Sequence, residues 1–202
     1  NEQPGEAPFR RGWVNRPVCR RLQAIKRSDA AGYNQALREA LMNGQDAVML
    51  PGIDAPGSAW KPTQLEDLAQ ALDGVEITAV PVYLPAQADP LPAAALYLAH
   101  AKQRGVAIEN LIGGVTADPI GAAANAGQTP ADDQNLIDNL AGWTGWCATH
   151  APGVRTVGVD ASVYNDAGAN AVQELGFALA TLAEYLREFE SRGVVALPML
   201  NH

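Results

Sequence analysis

The stretch QLEDLAQALDGVEITAVPVY, residues 64–83, contains the pattern that decides the fold class. Leu65, Leu68 and Leu72 recur at helical spacing and the run stops at Gly74, after which residues 75–83 are rich in β-forming side chains. A helix that stops at a glycine and leads into a short apolar strand is one repeat of an α/β protein. We therefore predict a helix over 64–72 and a strand over 75–83.

The same alternation recurs along the chain. Further helices are predicted over 31–43, 91–103 and 132–149, and further strands over 47–50, 111–116 and 156–161. A last helix has apolar residues at intervals of three and four: Val172, Leu175, Leu179, Leu182, Leu186 and Phe189. Short apolar strands separated by helices are typical of a parallel sheet covered by helices. Four such units fit either an open doubly wound sheet or half of a TIM barrel, and periodicity does not choose between them.

Composition restricts the function classes. The chain has 202 residues, 48% of them hydrophobic, and a net charge of -8, which favours one globular domain and argues against a nucleic-acid partner. No apolar run is long enough for a membrane span and no signal-peptide pattern is present, so we expect no membrane partner and a cytoplasmic location. Cys19 and Cys147 lie in no disulfide or zinc spacing. Residues 1–27, rich in Pro and Gly, are predicted to form an extended N-terminal arm before a domain over 28–202.

Motifs for chemistry are few. His100, His150 and His202 have no metal-ligand partner at helical spacing, and no phosphate-binding glycine motif is present. Asp118 and Asp166 lie beyond the carboxyl ends of predicted strands, where α/β proteins place catalytic groups, and Asp160 lies near the end of the strand predicted over 156–161. Helix capping is the alternative role for Asp118 and Asp166, because a cap needs only a side-chain oxygen.

Four stretches carry a resemblance to a known family. They are 4–12, with its Pro-Gly, Pro-Phe and Arg-Gly; Asn43-Gly44-Gln45; the helix and strand over 96–114; and 167–187, which reads AGANAVQELGFALATLAEYLR. In this order and with these separations they resemble the N-terminal barrel region of methylmalonyl-CoA mutases. The last stretch is the most specific.

The resemblance implies a parallel (β/α) barrel that holds an acyl-CoA, truncated here from a longer chain with a C-terminal cobalamin domain. In the parent complex adenosylcobalamin would supply the radical for the isomerisation of methylmalonyl-CoA and succinyl-CoA. The chain lacks the Asp-x-His-x-x-Gly motif whose His ligates cobalt, so we expect it to bind no cofactor itself.

The departures from the family pattern concern the residues that contact substrate. Active mutases have a Tyr-His pair, whose His donates to the thioester carbonyl, where this chain has Ser162 and Val163. A family Gln and Arg are replaced by Thr116 and Ala126, and the Tyr-bearing loop after the first strand is replaced by 52–57. Since each charge-assisted contact is worth roughly 1.5–3 kcal/mol, their joint loss predicts a degenerate site with no catalytic residue.

The resemblance is therefore closest to the small, non-catalytic subunit of heteromeric mutases, whose partner would be a catalytic large subunit. Two alternatives stay open: an active acyl-CoA mutase with a pocket rebuilt for another acyl group, in which Ser162 or Tyr164 replaces the thioester donor, and an unrelated α/β binding domain. The two outer strands would also be open sheet edges, which predicts self-association unless the arm or Val194–Leu200 covers them.

Overall fold

A computed structural model describes residues 19–53, 59–129 and 134–194 of the chain. The strands are β1 (Val48–Met49), β2 (Val82–Tyr83), β3 (Gly113–Ala117) and β4 (Val154–Val157). The helices are α1 (Ala30–Met42), α2 (Leu65–Ala71), α3 (Leu91–Gln103), α4 (Pro119–Asn125), α5 (Gln134–His150), α6 (Ser162–Asp166) and α7 (Ala171–Ser191), with a short 3-10 helix at Ile108–Asn110. None of the helices in these ranges is both long and apolar enough to cross a bilayer.

The four strands form one parallel sheet in the order β1-β2-β3-β4. Five of the helices contact one another in chain order: α1 packs on α2, α2 on α3, α3 on α5 and α5 on α7. An open doubly wound sheet reverses its strand order and places helices on both faces. The unreversed order and the single row of helices are those of a (β/α) barrel, so the predicted α/β class is confirmed and the described residues form about half of a barrel.

The core lies between the sheet and this row of helices. Val48, Val82 and Val154 share one register position across the sheet and are buried, each 3% exposed or less. Residues one step further along their strands, such as Met49 and Arg155, are half-buried or exposed because side chains alternate between the two faces of a sheet. The apolar face of the sheet is therefore the one that the helices cover.

Two strand predictions were wrong in their limits. Of the predicted strand 75–83, only Val82 and Tyr83 pair, because the Glu76 carboxylate accepts hydrogen bonds from the Thr78 amide and hydroxyl and closes a turn. The strand predicted over 156–161 is instead Val154–Val157, and the residues after it turn into α6. The β-forming residues correctly indicated that each segment contains a strand, but β-propensity does not show at which residue the backbone pairing ends.

Two short helices, α4 and α6, were not predicted. α4 begins directly after β3: Asp118 is its N-cap, its side chain accepts from Gly121 N, and Pro119 occupies the first helical position. α6 follows β4 in the same way but has no side-chain cap. Each is too short for a hydrophobic period to be visible in the sequence.

Strand β3 lies so close to β2 that only glycine fits at position 113. Gly113 has a φ of 125°, and a Cβ atom there would lie inside the van der Waals radius of the Val82 carbonyl oxygen. The double glycine at 113 and 114 therefore belongs to the strand, as predicted, and allows β2 and β3 to approach closely.

The outer edge of β1 is covered by the described part of the N-terminal region. Ala24 forms a parallel bridge with Met49, and the Tyr33 hydroxyl donates to the Met49 carbonyl oxygen at 2.7 Å. The Asp46 carboxylate accepts from Arg21 N, and Asp46 N donates to Arg21 O. The arm motif at 4–12 lies outside the described residues.

Candidate functional site

A pocket of about 430 Å³ opens at the carboxyl ends of the four strands. Its lining comes from the segment after every strand: Gly52, Pro85, Ala86, Gln87, Thr116, Asp118, Gly121, Ala122, Asn125, Gly158, Val159, Asp160 and Val163. Barrel enzymes place their sites at this end. Four of the residues singled out in the sequence line this pocket, namely Thr116, Asp118, Asp160 and Val163.

Asp118 lies at the back of this pocket and is 6% exposed. Its Oδ1 accepts from Gly121 N at 2.9 Å and from the Tyr185 hydroxyl at 2.5 Å, and its Oδ2 accepts from Asp160 N at 2.8 Å. One carboxylate thus joins the start of α4, the end of β4 and helix α7. The capping role that the sequence left open for Asp118 is present, together with two bonds that the sequence did not reveal.

Tyr185 completes this arrangement from α7. Its hydroxyl donates to Asp118 and accepts from Ile120 N at 2.9 Å, and the side chain is fully buried. Burial, with Asp118 as the second cause, raises the pKa of the Tyr185 phenol well above its ordinary value, so the hydroxyl stays a donor. We call Asp118 and Tyr185 with their partners the brace.

The polar residues after β4 form hydrogen bonds with one another and with α7. The Ser162 hydroxyl donates to Asp160 Oδ1 at 2.6 Å, and the Tyr164 hydroxyl is hydrogen-bonded to the Thr181 hydroxyl on α7 at 3.0 Å. Neither Ser162 nor Tyr164 lines the pocket, whereas the apolar Val163 does. Asp166, the other predicted capping residue, is the last residue of α6 and does not begin a helix.

Thr116 lines the pocket. Ala126 is the C-terminal cap of α4 and does not line it. Thr116 lies where pairing between β3 and β4 is interrupted, between Gly114 and Ala117. At this irregularity the indole N–H of Trp143 donates to the Val115 carbonyl oxygen at 3.0 Å, which satisfies a group that the ladder leaves free. The buried Trp143 is therefore a structural residue.

Among the residues that the structure describes, the lining contains two carboxylates, Asp118 and Asp160, and neither lysine nor arginine. Anionic acyl groups and phosphates are bound in proteins by cations and free N–H donors. Here the first free amides of α4 are already used, because Ile120 N donates to Tyr185 and Gly121 N to Asp118. The charge of the pocket therefore opposes a carboxylate ligand.

No described histidine or cysteine belongs to the pocket. His100 is buried in α3, and His150 is exposed at the end of α5, where it stacks on Trp146. Burial raises the pKa of the Cys147 thiol to about 12, so it is an inert core residue. Within the described ranges no group of three His, Cys, Asp or Glu side chains could hold a metal ion. His202 lies outside them, as do residues 54–57 of the loop after β1.

Comparison with known proteins identifies the family. The sequence profile described as methylmalonyl-CoA mutase matches residues 60–196, which include every segment that lines the pocket except the one after β1. The chain belongs to the methylmalonyl-CoA mutase family. The resemblance read from residues 96–114 and 167–187 is thereby confirmed.

Individual relatives are subunits of such mutases. The methylmalonyl-CoA mutase small subunit of Streptomyces virginiae is 37% identical over 95% of this chain, and that of Propionibacterium freudenreichii subsp. shermanii is 30% identical over 96%. A Mycobacterium bovis protein described as a probable methylmalonyl-CoA mutase large subunit is 27% identical over 91%. The chain spans 30%, 29% and 27% of the length of these three proteins.

Sequence reasoning missed three residues of the site. Gln87 and Asn125 line the pocket from the segment after β2 and the end of α4, and Tyr185 reaches Asp118 from 67 residues along the chain. The position of Tyr185 among the apolar residues of α7 suggested only a core side chain. The hydroxyl of Tyr185 was the available signal, because α7 was expected to pack on the core and a buried hydroxyl needs a partner.

Proposed function

We propose that this chain is the front half of the barrel of a methylmalonyl-CoA mutase small subunit, which supports a catalytic large subunit and carries no active site of its own. Residues 1–27 would be its N-terminal arm and 28–202 the barrel part, in a cytoplasmic complex. The observation that carries the proposal is the chemistry of the pocket: Val163 lines it in place of a hydrogen-bond donor, and the charged side chains in its described lining are the carboxylates Asp118 and Asp160.

The positions that align with the family's substrate contacts support this proposal. Thr116 offers a hydroxyl in place of an amide, and Ala126 offers no polar side-chain atom and lies outside the lining. A thioester carbonyl entering this pocket would meet methyl groups at Val163. A buried carbonyl that meets no donor loses about 1–3 kcal/mol relative to water, so Val163 disfavours the binding of an acyl-CoA at this position.

The alternative of an active mutase with a rebuilt pocket has less support. It needs a new donor from Ser162 or Tyr164, and both hydroxyls already bond to other side chains, Asp160 and Thr181. Neither residue borders the pocket. Recruiting either one would first break an existing hydrogen bond.

The residues described here also do not fit a cobalamin ligand. A cobalt-ligating histidine would have to face the pocket, whereas His100 is buried within α3 and His150 lies at the exposed end of α5. We derive no step through adenosylcobalamin on this chain, and under the proposal the cofactor belongs to the complex. The names of the relatives, small and large subunits of one enzyme, support a heteromeric complex.

A copurification and assay test the proposal. The chain is expressed with a tag in its own organism, the complex that it retains is isolated, and isomerisation of methylmalonyl-CoA is measured with added adenosylcobalamin on the complex and on the chain alone. We expect turnover only when a second, histidine-bearing mutase chain is present. Turnover by the chain alone would refute the supporting role.

The matched variant is the double substitution Ser162→Tyr and Val163→His, which restores the family's pair. We expect it to produce no turnover in the isolated chain, because the other polar contacts are still missing. If it creates activity by itself, the pocket is nearer to a working site than this proposal allows.

A further inference from the structure

We infer that the pocket at the carboxyl ends of the strands binds a small organic ammonium ion, with the Asp160 carboxylate as its counter-ion. The ligand class is a primary amine on a short apolar chain. The proposed supporting role does not require such a ligand, and the ligand does not require that role, so either can fail without the other.

The Asp160 carboxylate is held in one orientation by its own segment. Its Oδ1 accepts from the Ser162 amide at 3.0 Å and from the Ser162 hydroxyl at 2.6 Å. The backbone is fixed as well, because Asp160 N donates to the buried Asp118 carboxylate at 2.8 Å. Oδ2 has no hydrogen-bond partner among the described residues. A ligand that bonds to Oδ2 therefore meets a side chain that is already ordered, which lowers the entropic cost of binding.

No described cation balances Asp160. The lining within the described ranges contains no lysine or arginine, and Asp160 forms no ion pair with any residue in those ranges. The other carboxylate, Asp118, is 6% exposed, and its two oxygens already accept three hydrogen bonds, so it adds negative charge at the back of the pocket. A cation that reaches Asp160 therefore gains a charge-assisted hydrogen bond in a field that no described cation weakens.

The rest of the lining fits a short alkyl chain that carries an amino group. Thr116 and Asn125 have side-chain oxygens without a partner among the described residues, and an ammonium group has three donors. Pro85, Val159 and Val163 provide apolar contacts. The volume of about 430 Å³ lies within the roughly 300–1,000 Å³ that is usual for pockets that hold small molecules.

Other ligand classes fit less well. A carboxylate or phosphate would be repelled by two carboxylates, and a metal ion would lack ligands, since no group of three His, Cys, Asp or Glu side chains occurs within the described ranges. A guanidinium binds a carboxylate best through both oxygens, but Oδ1 of Asp160 is already occupied by two donors from Ser162. A single N–H donor to Oδ2 is the arrangement that an ammonium ion can make.

A titration followed by NMR tests the ligand class. The amide signals of Gly121, Gly158 and Ser162 are followed as the chain is titrated, at about 0.15 M salt, with butylammonium, 1-butanol or butyrate. The three probes have the same chain length and differ in charge. We expect saturable shifts with butylammonium, binding of 1-butanol that is about tenfold weaker or more, and no shift with butyrate.

Two variants test the counter-ion. Asp160→Asn keeps a side-chain oxygen for the donors of Ser162 and removes the charge, and we expect it to raise the Kd of butylammonium about tenfold or more. The matched control is Glu190→Gln, which removes the same charge from an exposed position on α7. It should change the Kd by less than about twofold, because salt screens a distant charge.

Three results would overturn the inference: no saturable shift of the pocket amides with butylammonium, binding of 1-butanol as tight as that of butylammonium, or equal losses for the two variants. The probe series needs no substitution, so it decides the question even if Asp160→Asn does not fold. The supporting role is tested separately by turnover of the complex, which none of these titrations measures.

Discussion

Two sets of side chains meet at the carboxyl ends of the strands, and they differ in how they are held. In the brace, Asp118 and Tyr185 are buried and exchange hydrogen bonds with α4, β4 and each other. At the pocket, Thr116 and Val163 are half-buried and offer one hydroxyl and three methyl groups. The hydrogen bonds of the brace are complete, while these two positions of the pocket offer a ligand few polar contacts, as the proposed supporting role would require.

Replacing Asp118 with Ala should have the largest effect. It leaves the Tyr185 hydroxyl and the amides of Gly121 and Asp160 without their acceptor in a buried place. We expect the free energy of unfolding to fall by about 4 kcal/mol, measured by urea denaturation.

Asp160 is the matched control, because it is the other carboxylate of the pocket. It is exposed, and its side chain accepts only from the amide and hydroxyl of Ser162. Replacing Asp160 with Ala should cost about 1 kcal/mol or less. Similar losses for the two substitutions would remove the distinction between brace and pocket.

Acid should lower the free energy of unfolding of the domain through His100, which is buried in α3. Burial, and secondly the charge of Arg104, lowers the pKa of the His100 imidazole to about 4, whereas the ordinary value is 6.5. The unfolded chain therefore binds a proton that the folded chain does not, so this stabilisation is complete above pH 6.5 and is lost as the pH falls through 4. The loss at pH 4 is up to roughly 3 kcal/mol.

The His100→Leu variant tests this assignment. Neither ring nitrogen of His100 has a hydrogen-bond partner among the described residues, so leucine should be tolerated at pH 7. Stability measured by urea denaturation should then fall less between pH 6.5 and pH 4 than in the unmodified chain. An unchanged slope would assign the pH dependence to other groups.

The substitution Tyr185→Phe tests the brace from the side of α7. It removes the donor to Asp118 and the acceptor for Ile120 N, and we expect a loss of about 1.5 kcal/mol. Tyr164→Phe, which removes a single part-buried bond to Thr181, should cost about half as much. If Tyr164→Phe lowers the free energy of unfolding as much as Tyr185→Phe does, the hydrogen bond between Tyr185 and Asp118 contributes no more to stability than the part-buried bond between Tyr164 and Thr181.

Changes at the pocket should have the smallest effect. Thr116→Val and Val163→Thr alter polarity at nearly constant shape in half-buried places, and each should change the free energy of unfolding by less than about 0.5 kcal/mol. Calorimetric or chemical unfolding of the two variants is a sufficient check. If either substitution lowers the free energy of unfolding by more than about 2 kcal/mol, that residue holds the fold together as the brace residues do.

The sequence predicted the repeating elements well because their signals are local. Helices α3 and α7 were expected almost at their observed limits, since a period of apolar residues and a terminal glycine are both visible in the chain. The choice between an open sheet and a barrel needed strand order, which no local pattern contains.

The brace and the exposed apolar face of α7, at Val172, Leu175 and Leu179, could not be predicted from the sequence, and the physical reason is the same for both. Tyr185 lies 67 residues from Asp118, and spacing along the chain does not report that distance in space. The apolar period of α7 predicts that its face is covered, but the period is the same whether the cover belongs to the described residues or not. Periodicity predicts that a helix face is buried, but it does not identify the residues that bury it.

Binding of succinyl-CoA to the purified chain tests most directly the claim that the pocket has lost its chemistry. Equilibrium dialysis is performed on the unmodified chain and on the Thr116→Ala, Val163→Ala double variant. The account predicts weak binding that is the same for both proteins. Saturable binding that the double variant weakens tenfold or more would show that the pocket still recognises an acyl-CoA, and would contradict the account.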